Sequence, residues 1–84
     1  MESYTQKFDF AHAKDIENRR ILVEIYQALE EKGYNPVNQI VGYILTEDPT
    51  YITNHNKART LIRKIDREDL LQAMVARYLL HKNL

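Results

Sequence analysis

The sequence predicts an all-α fold, a compact bundle of four to five short helices, and three observations support this prediction. Glycine and proline occur only twice each in 84 residues, so the many turns of an all-β domain are lacking. Strong helix formers, among them Ala, Leu, Glu, Lys and Arg, fill the middle and the end of the chain. Apolar residues recur there at spacings of three and four, which places them on one face of a helix.

The N-terminal part of the chain is predicted to differ from the rest. Residues 1–14 show no apolar stripe of helical spacing, and we expect a flexible tail there, followed by a single helical domain over residues 15–84. The first helix is expected to run from Asp15, a suitable N-cap, to about Lys32. Gly33 then suits the left-handed position that ends many helices. The residues of its predicted apolar face are Ile21, Leu22, Ile25, Tyr26, Ala28 and Leu29.

A second helix is predicted to start at Pro36, because Asn35 can cap it and Pro fits the first helical position. Gly42 lies in the middle of this helix, where Gly costs up to about 1 kcal/mol relative to Ala. We attribute Gly42 to the close approach of another helix rather than to a functional hinge. The predicted apolar face comprises Val37, Ile40, Val41, Ile44 and Leu45.

Two further caps are predicted in the second half of the chain. Asp48 is expected to cap a short helical turn that begins at Pro49. Either Thr53 or Asn54 is expected to cap a third helix over about 55–65. The apolar side of this helix would comprise Ala58, Leu61, Ile62 and Ile65.

The last helix is predicted from about Arg67 to His81, with Asp66 ending the preceding helix and capping this one. Asp69 falls at its third position, where a negative charge meets the positive end of the helix dipole. Its predicted apolar positions are Leu70, Leu71, Met74, Val75, Tyr78 and Leu79.

Composition argues against several classes of function. Twelve basic and twelve acidic side chains cancel, whereas a nucleic-acid binder usually carries a basic excess. There is no Cys, and the histidines His12, His55 and His81 lie far apart without acidic partners at ligand spacing. Ser3 is the only serine. We therefore predict neither an enzyme nor a metal or cofactor site. No apolar run approaches the ~18 residues that span a bilayer, and a cytoplasmic location is expected.

Three arginines form the most distinctive polar pattern. Arg59 and Arg63 lie four residues apart and share a helix face, and Arg67 continues the spacing. One interpretation is a solvated surface with ion pairs to Asp66 or Glu68. The other is a patch that recognises an anion, because a guanidinium matches carboxylate and phosphate groups. A small helix-turn-helix DNA binder is the alternative function, and a purely structural subunit is a third.

Thr5 is a candidate for modification because it lies in the predicted tail, where a kinase has access. Phosphorylation would add a charge of about −1.5 to −2, which is large for a neutral chain of this size. By this argument alone Ser3 and Tyr4 are equally eligible.

The segment KGYNPVNQIVGY over residues 32–43 resembles the signature of the IreB family of regulatory phosphoproteins. The resemblance extends over nearly the whole chain. Its further segments are Asp48-Pro49-Thr50-Tyr51-Ile52, Ala58-Arg59, Ile62-Arg63, Arg67-Glu68-Asp69 and Tyr78-Leu79.

This resemblance implies a small helical homodimer in the cytoplasm of Gram-positive bacteria. It implies that the protein is a substrate of a transmembrane PASTA-domain Ser/Thr kinase and of its cognate phosphatase. It also implies that the protein controls cell-wall synthesis and β-lactam tolerance. It also implies that the unmodified protein promotes ClpCP-dependent degradation of MurA, the first committed enzyme of peptidoglycan synthesis.

The resemblance also assigns residues. Thr5 matches the phosphoacceptor, three residues before Phe8 and five before Phe10, and Arg59, Arg63 and Arg67 match basic positions that bind partners. Asn54 stands where relatives can carry another Arg, and Thr5 is the only threonine of the tail.

Overall fold

A long helix, α1, runs from Glu2 to Glu31 and forms the frame of the fold. The computed structural model describes residues 2–80, with side chains from residue 13 onward. The predicted helix start at Asp15 is wrong, because Asp15 lies inside α1. A helix extends readily once it has been nucleated, and no Gly or Pro interrupts the chain before Gly33. The division into a flexible tail over 1–14 and a domain over 15–84 concerns motion, and it stays a prediction.

The end of α1 follows its sequence signal. Gly33 has a φ of +83°, the left-handed conformation predicted for it. Its amide donates to the carbonyl of Glu30 at 3.0 Å, and the amide of Tyr34 donates to that of Leu29 at 3.0 Å. These two bonds satisfy carbonyls of the last turn that have no partner within the helix. The chain therefore reverses sharply and enters the next helix.

The second helix, α2, spans Pro36–Thr46 and begins at the predicted cap. The side-chain oxygen of Asn35 accepts a hydrogen bond from the amide of Asn38 at 3.1 Å. At the other end Glu47 adopts a left-handed φ of 59°, and its amide donates to the carbonyl of Tyr43 at 2.7 Å. Both ends of α2 are thus closed by local hydrogen bonds.

A short 3-10 turn over Pro49–Tyr51 follows, and Asp48 caps it as predicted by accepting from the amide of Thr50 at 3.0 Å. This turn explains Gly42. A Cβ atom at position 42 would lie well inside van der Waals distance of the Tyr51 ring. The close approach predicted at Gly42 therefore exists, but the neighbour is an aromatic ring of the turn rather than a helix.

The predicted third helix is divided into two parts. A 3-10 turn covers His55–Lys57, and α3 covers only Ala58–Ile62. Asn56 and Lys57 have φ values of 53° and 62°, which a continuous right-handed helix cannot contain. Of the two predicted caps, Asn54 occupies the N-cap position, and the hydroxyl of Thr53 accepts from the amide of His55 at 3.2 Å. Asn54 makes no such hydrogen bond.

The last helix, α4, spans Arg67–Leu80 and starts where predicted. The carboxylate of Asp66 accepts from the amides of Glu68 at 2.8 Å and Asp69 at 3.2 Å, so Asp66 caps α4. The predicted last residue, His81, lies outside the described residues.

The core lies between α1, α2, α3 and the connection that precedes α3. Ile25, Leu29, Ile52 and Ile62 are completely or almost completely buried at its centre. The core is completed by Ile21, Ala28, Ile44, Ala58, Ile65 and Leu70. The predicted apolar face of α1 is confirmed, except that Tyr26 remains 42% exposed.

Both apolar burial and ion pairs connect α4 to the rest of the fold. Leu70 is the only residue of α4 in the core. Two ion pairs join the helices, Lys14 Nζ to Asp69 at 2.6 Å and Arg77 Nη2 to Asp15 at 2.9 Å. The hydrogen bond from Lys14 to Asp69, together with the attraction between their charges, raises the pKa of Lys14.

The described chain thus has four α-helices and two 3-10 turns, which confirms the all-α prediction, although α1 is long rather than short. None of these helices combines the length and the apolar character that a membrane crossing requires.

Candidate functional site

We define the arginine face as Arg59, Arg63 and Arg67, and two of its members are bonded within the chain. Arg59 Nε donates to the carbonyl of Ile52 at 2.8 Å, and Arg67 Nη1 donates to the carbonyl of Ile44 at 2.6 Å. The carbonyl of Ile44 lies in the last turn of α2, where carbonyls lack helical partners. Arg67, on α4, therefore bonds to the end of α2, and Arg59, on α3, bonds to the connection between α2 and α3.

Acidic side chains of this segment accompany both arginines. Arg67 Nε lies 3.3 Å from Glu47 Oε2, in an ion pair that the sequence analysis did not anticipate. A hydrogen bond from the hydroxyl of Thr50 at 2.7 Å lowers the pKa of Asp48, with smaller contributions from the Thr50 amide and from the charge of Arg59. Arg59 and Arg67 therefore each have a negatively charged side chain nearby.

Arg63 has a different environment. Its side chain is exposed, and it makes no hydrogen bond or ion pair with any side chain of residues 13–80. The ion pair with Asp66 or Glu68 considered above is therefore not observed for Arg63 in this part of the chain. A guanidinium with all of its donors available can bind a carboxylate or phosphate through two parallel hydrogen bonds. Arg63 is the arginine of this face that is best placed to meet an external anion.

The backbone of Thr5 lies close to the start of α1, and its side chain is outside the described part of the structure. Ile21 is the first residue of this helix in the core among those whose side chains are described. More than four helical turns separate Thr5 from Ile21, which corresponds to roughly 24 Å along a straight axis.

An apolar surface on α4 is exposed. We define the α4 stripe as Leu71, Met74, Val75, Tyr78 and Leu79, five of the six predicted apolar positions of this helix. In the structure each of them is exposed, and Tyr78 is exposed to 73%. Helical periodicity identified the stripe correctly, but it cannot tell whether the covering surface belongs to the same chain.

A second exposed stripe lies on α2. We define the α2 stripe as Val37, Val41 and Leu45, which repeat every four residues along one side of the helix. Of the predicted apolar face, Ile44 is buried and Ile40 packs against the core. The other three residues are exposed, because only part of this face is covered by the described chain.

The predicted surface histidines can be assessed only at His55. Its Nε2 lies 2.7 Å from Glu31 Oε1, which joins the turn before α3 to the last turn of α1. The side chains of His12 and His81 are outside the described residues. Among the described side chains, no three acidic or histidine residues converge as metal ligands.

These features define a class: a small all-helical protein whose exposed apolar stripes, and whose Arg63 without a side-chain partner among residues 13–80, are suited to contacts with other proteins. Comparison with known proteins gives the family. Residues 3–80 match the IreB regulatory phosphoprotein family, and the chain belongs to it. A relative described as "UPF0297 protein" from Acetivibrio thermocellus is 56% identical over 75 residues, which cover 89% of this chain and 83% of that protein.

The protein is therefore a member of a family of regulatory phosphoproteins. No observation supports the DNA-binding alternative. α3 has only five residues, too few to extend along a major groove, and Arg59 and Arg67 donate to backbone carbonyls of their own chain.

Proposed function

We propose that this protein is a non-enzymatic adaptor of the cytoplasm, controlled by a PASTA-type Ser/Thr kinase and its phosphatase through Thr5. The match of residues 3–80 to a family of regulatory phosphoproteins is the observation on which this proposal depends. Thr5 is the only threonine before Thr46, so Ser3 is the only other residue near the N-terminus that a Ser/Thr kinase could modify.

The unmodified protein promotes degradation of MurA by ClpCP in this proposal, and phosphorylation relieves that effect. Peptidoglycan synthesis and β-lactam tolerance would then follow kinase activity. The arginine face contacts the partner, with Arg63 as its principal donor and with the spare N–H groups of Arg59 and Arg67 beside it. An acidic partner surface fits such a face, since carboxylates accept paired hydrogen bonds from guanidinium groups.

In this proposal, phosphorylation of Thr5 changes how the protein contacts its partner and does not change the fold of the protein itself. Repulsion between the added charge and an acidic partner surface needs no change in the fold of this chain.

The α4 stripe forms a homodimer interface in this proposal. Five neighbouring apolar side chains expose an area on the order of 600 Å², which is most of the roughly 800 Å² per partner that a stable interface buries. Pairing of α4 with α4 of a second copy places the same patch on both sides of a twofold axis. This arrangement covers the surface that a single chain leaves exposed.

The phosphoacceptor is tested with Thr5→Ala, incubated with the kinase domain and labelled ATP. We expect the variant to lose phosphate incorporation, whereas Thr60→Ala, a control at an exposed position on α3, keeps it. Undiminished labelling of Thr5→Ala would remove Thr5 from the mechanism.

The adaptor step is tested separately, in a reconstituted reaction of purified MurA, ClpC and ClpP. Unmodified protein is expected to accelerate loss of MurA, and both stoichiometric phosphorylation and Arg63→Glu are expected to reduce that acceleration. Equal rates with and without the protein would exclude the proposed target.

A further inference from the structure

The end of the α2 stripe and the start of the α4 stripe lie at the same place in the fold. Leu45 ends the α2 stripe, and two residues later Glu47 lines an open cleft together with Leu71, the first residue of the α4 stripe. The rest of this cleft is lined by Asp66, Arg67 and Glu68. Each stripe is exposed along its whole length, from 43% to 75% on α2 and from 39% to 73% on α4. The two exposed apolar stripes therefore meet at the cleft.

Arg67 connects the two helices that carry these stripes. Both α2 and α4 pack against α1. Arg67 Nη1 donates to the carbonyl of Ile44 at 2.6 Å, and Arg67 Nε lies 3.3 Å from Glu47 Oε2. Within residues 13–80 these are the polar contacts between α4 and the end of α2. Because the guanidinium is planar and rigid, the two contacts together set how α2 lies relative to α4.

The surroundings of both stripes carry little charge. The eleven residues of α2 contain no Asp, Glu, Lys, Arg or His, and residues 70–76 of α4 contain none either, although 29% of the whole chain is charged. The charged residues that flank this part of α4, Asp69 and Arg77, both form ion pairs with α1. A twofold axis places the same patch on both sides of an interface. A patch without charge can meet its own copy without repulsion between like charges and without loss of ion hydration.

The combined area of the two stripes fits a second copy of the chain. The α4 stripe alone, on the order of 600 Å², is smaller than the roughly 800 Å² per partner that a stable interface buries. The three aliphatic side chains of the α2 stripe add an area on the order of 300 Å², which brings the total above that size. The surface therefore reaches the extent of a stable dimer interface when it continues from α4 onto α2.

We propose that the two stripes form one interface, covered by a second copy of this chain, and that Arg67 is the positioning residue that aligns them. This inference rests on the homodimer of the proposed function and adds the α2 stripe and Arg67 to it. Arg67 acts within each copy by holding the end of α2 against the start of α4. Arg63 remains the exposed member of the arginine face that is available to another protein.

The role of α2 is tested with Val41→Glu, which places a charge at the centre of the α2 stripe. Sedimentation equilibrium measures the dissociation constant of the dimer, which should rise at least about hundredfold, because a charge buried without a counter-charge opposes association. Thr60→Glu adds the same charge at an exposed position of α3 and should change the constant by less than about twofold. Leu45→Glu, at the most exposed residue of the stripe, is a second variant, and circular dichroism measures the helix content of each.

The role of Arg67 is tested by exchanging the charges of its ion pair. Arg67→Glu removes the hydrogen bond to the Ile44 carbonyl and repels Glu47, so the dissociation constant should rise about tenfold. Adding Glu47→Arg restores an ion pair between α2 and α4 and should return the constant to within about threefold of the unaltered protein. If Arg67 contacted the second copy directly, a change at Glu47 would not recover the dimer. Arg63→Glu is the matched control and should leave the dimer intact.

Each part of the inference has a result that would overturn it. An unchanged dissociation constant in Val41→Glu and Leu45→Glu would exclude the α2 stripe and leave the α4 dimer of the proposed function in place. Equal losses in Arg67→Glu with and without Glu47→Arg, or an equal loss in Arg63→Glu, would show that Arg67 does not align the helices. Phosphorylation of Thr5 and loss of MurA are measured in separate assays, so failure of this inference is distinguishable from failure of the proposed function.

Discussion

At the scale of single residues, Asp48 caps the 3-10 turn over Pro49–Tyr51 and also interacts with the charge of Arg59 on the arginine face. Its carboxylate accepts from the hydroxyl and the amide of Thr50, and these bonds lower the pKa of Asp48. A group with a lowered pKa in the folded state stabilises the fold above its unfolded pKa. That contribution is lost as the pH falls through the lowered value, so it disappears only in the acid range.

Thr50→Val should raise the pKa of Asp48 toward its ordinary value, because the largest cause of the shift is removed. A carboxyl-detected NMR titration of the unaltered protein and the variant measures the change. Thr60→Val is the matched control, since Thr60 lies on α3, and it should leave the Asp48 titration unaltered. An unchanged midpoint in Thr50→Val would show that the hydroxyl does not hold the carboxylate.

Gly42 gives a second prediction at this scale. Gly42→Ala gains helix propensity of up to about 1 kcal/mol. Its Cβ meets the Tyr51 ring, and overpacking of this kind costs about 1–3 kcal/mol. We therefore expect a net loss of stability in urea unfolding. Combining Gly42→Ala with Tyr51→Ala should abolish that loss relative to Tyr51→Ala alone, and a loss of equal size in both backgrounds would contradict the packing explanation.

At the scale of the elements, the arginines divide into structural and available members. Arg67→Ala removes a hydrogen bond from a charged group to the end of α2 and an ion pair with Glu47, and should cost about 1.5–3 kcal/mol. Arg63→Ala should stay within about 0.5 kcal/mol of the unaltered protein, because Arg63 is exposed and makes no bond within the described chain. Urea unfolding of both variants checks this, and equal losses would refute the division.

The elements also show how far a sequence determines its fold. The caps at Asn35, Asp48 and Asp66 and the left-handed Gly33 were all predictable, because each depends on bonds between residues two to five positions apart. The start of α1 was not, since its first turns carry no apolar stripe. The break at Asn56 and Lys57 was missed because two left-handed residues leave no periodic signal.

The candidate site was predictable to a lesser degree. The spacing of Arg59, Arg63 and Arg67 located the face. The carbonyls that accept hydrogen bonds from two of these arginines lie up to 23 positions away in the chain, so local spacing could not identify them. Apolar periodicity found both stripes without showing that they are exposed. Tertiary contacts decide which side of an amphipathic helix is covered, and the local sequence pattern does not reveal those contacts.

At the scale of the whole molecule, the proposed functions occupy separate surfaces. The arginine face lies around α3 and the start of α4, the α4 stripe continues toward the C-terminus, and the α2 stripe belongs to another helix. Thr5 lies near the far end of α1. A protein with separate surfaces can hold a second copy and a partner together, which an adaptor requires.

The α4 stripe makes the last prediction, which concerns assembly. Met74→Glu places a charge at the centre of the proposed dimer interface, where burial without a counter-charge costs several kcal/mol. We expect light scattering to give twice the 10.0 kDa chain mass for the unaltered protein and the single-chain mass for the variant. Circular dichroism should show the same helix content in both, because Met74 is exposed in the isolated chain. Gln72→Glu adds the same charge to α4 outside the stripe, and it should leave the dimer intact. A single-chain mass for the unaltered protein, or dissociation by Gln72→Glu as readily as by Met74→Glu, would contradict an interface formed by the α4 stripe.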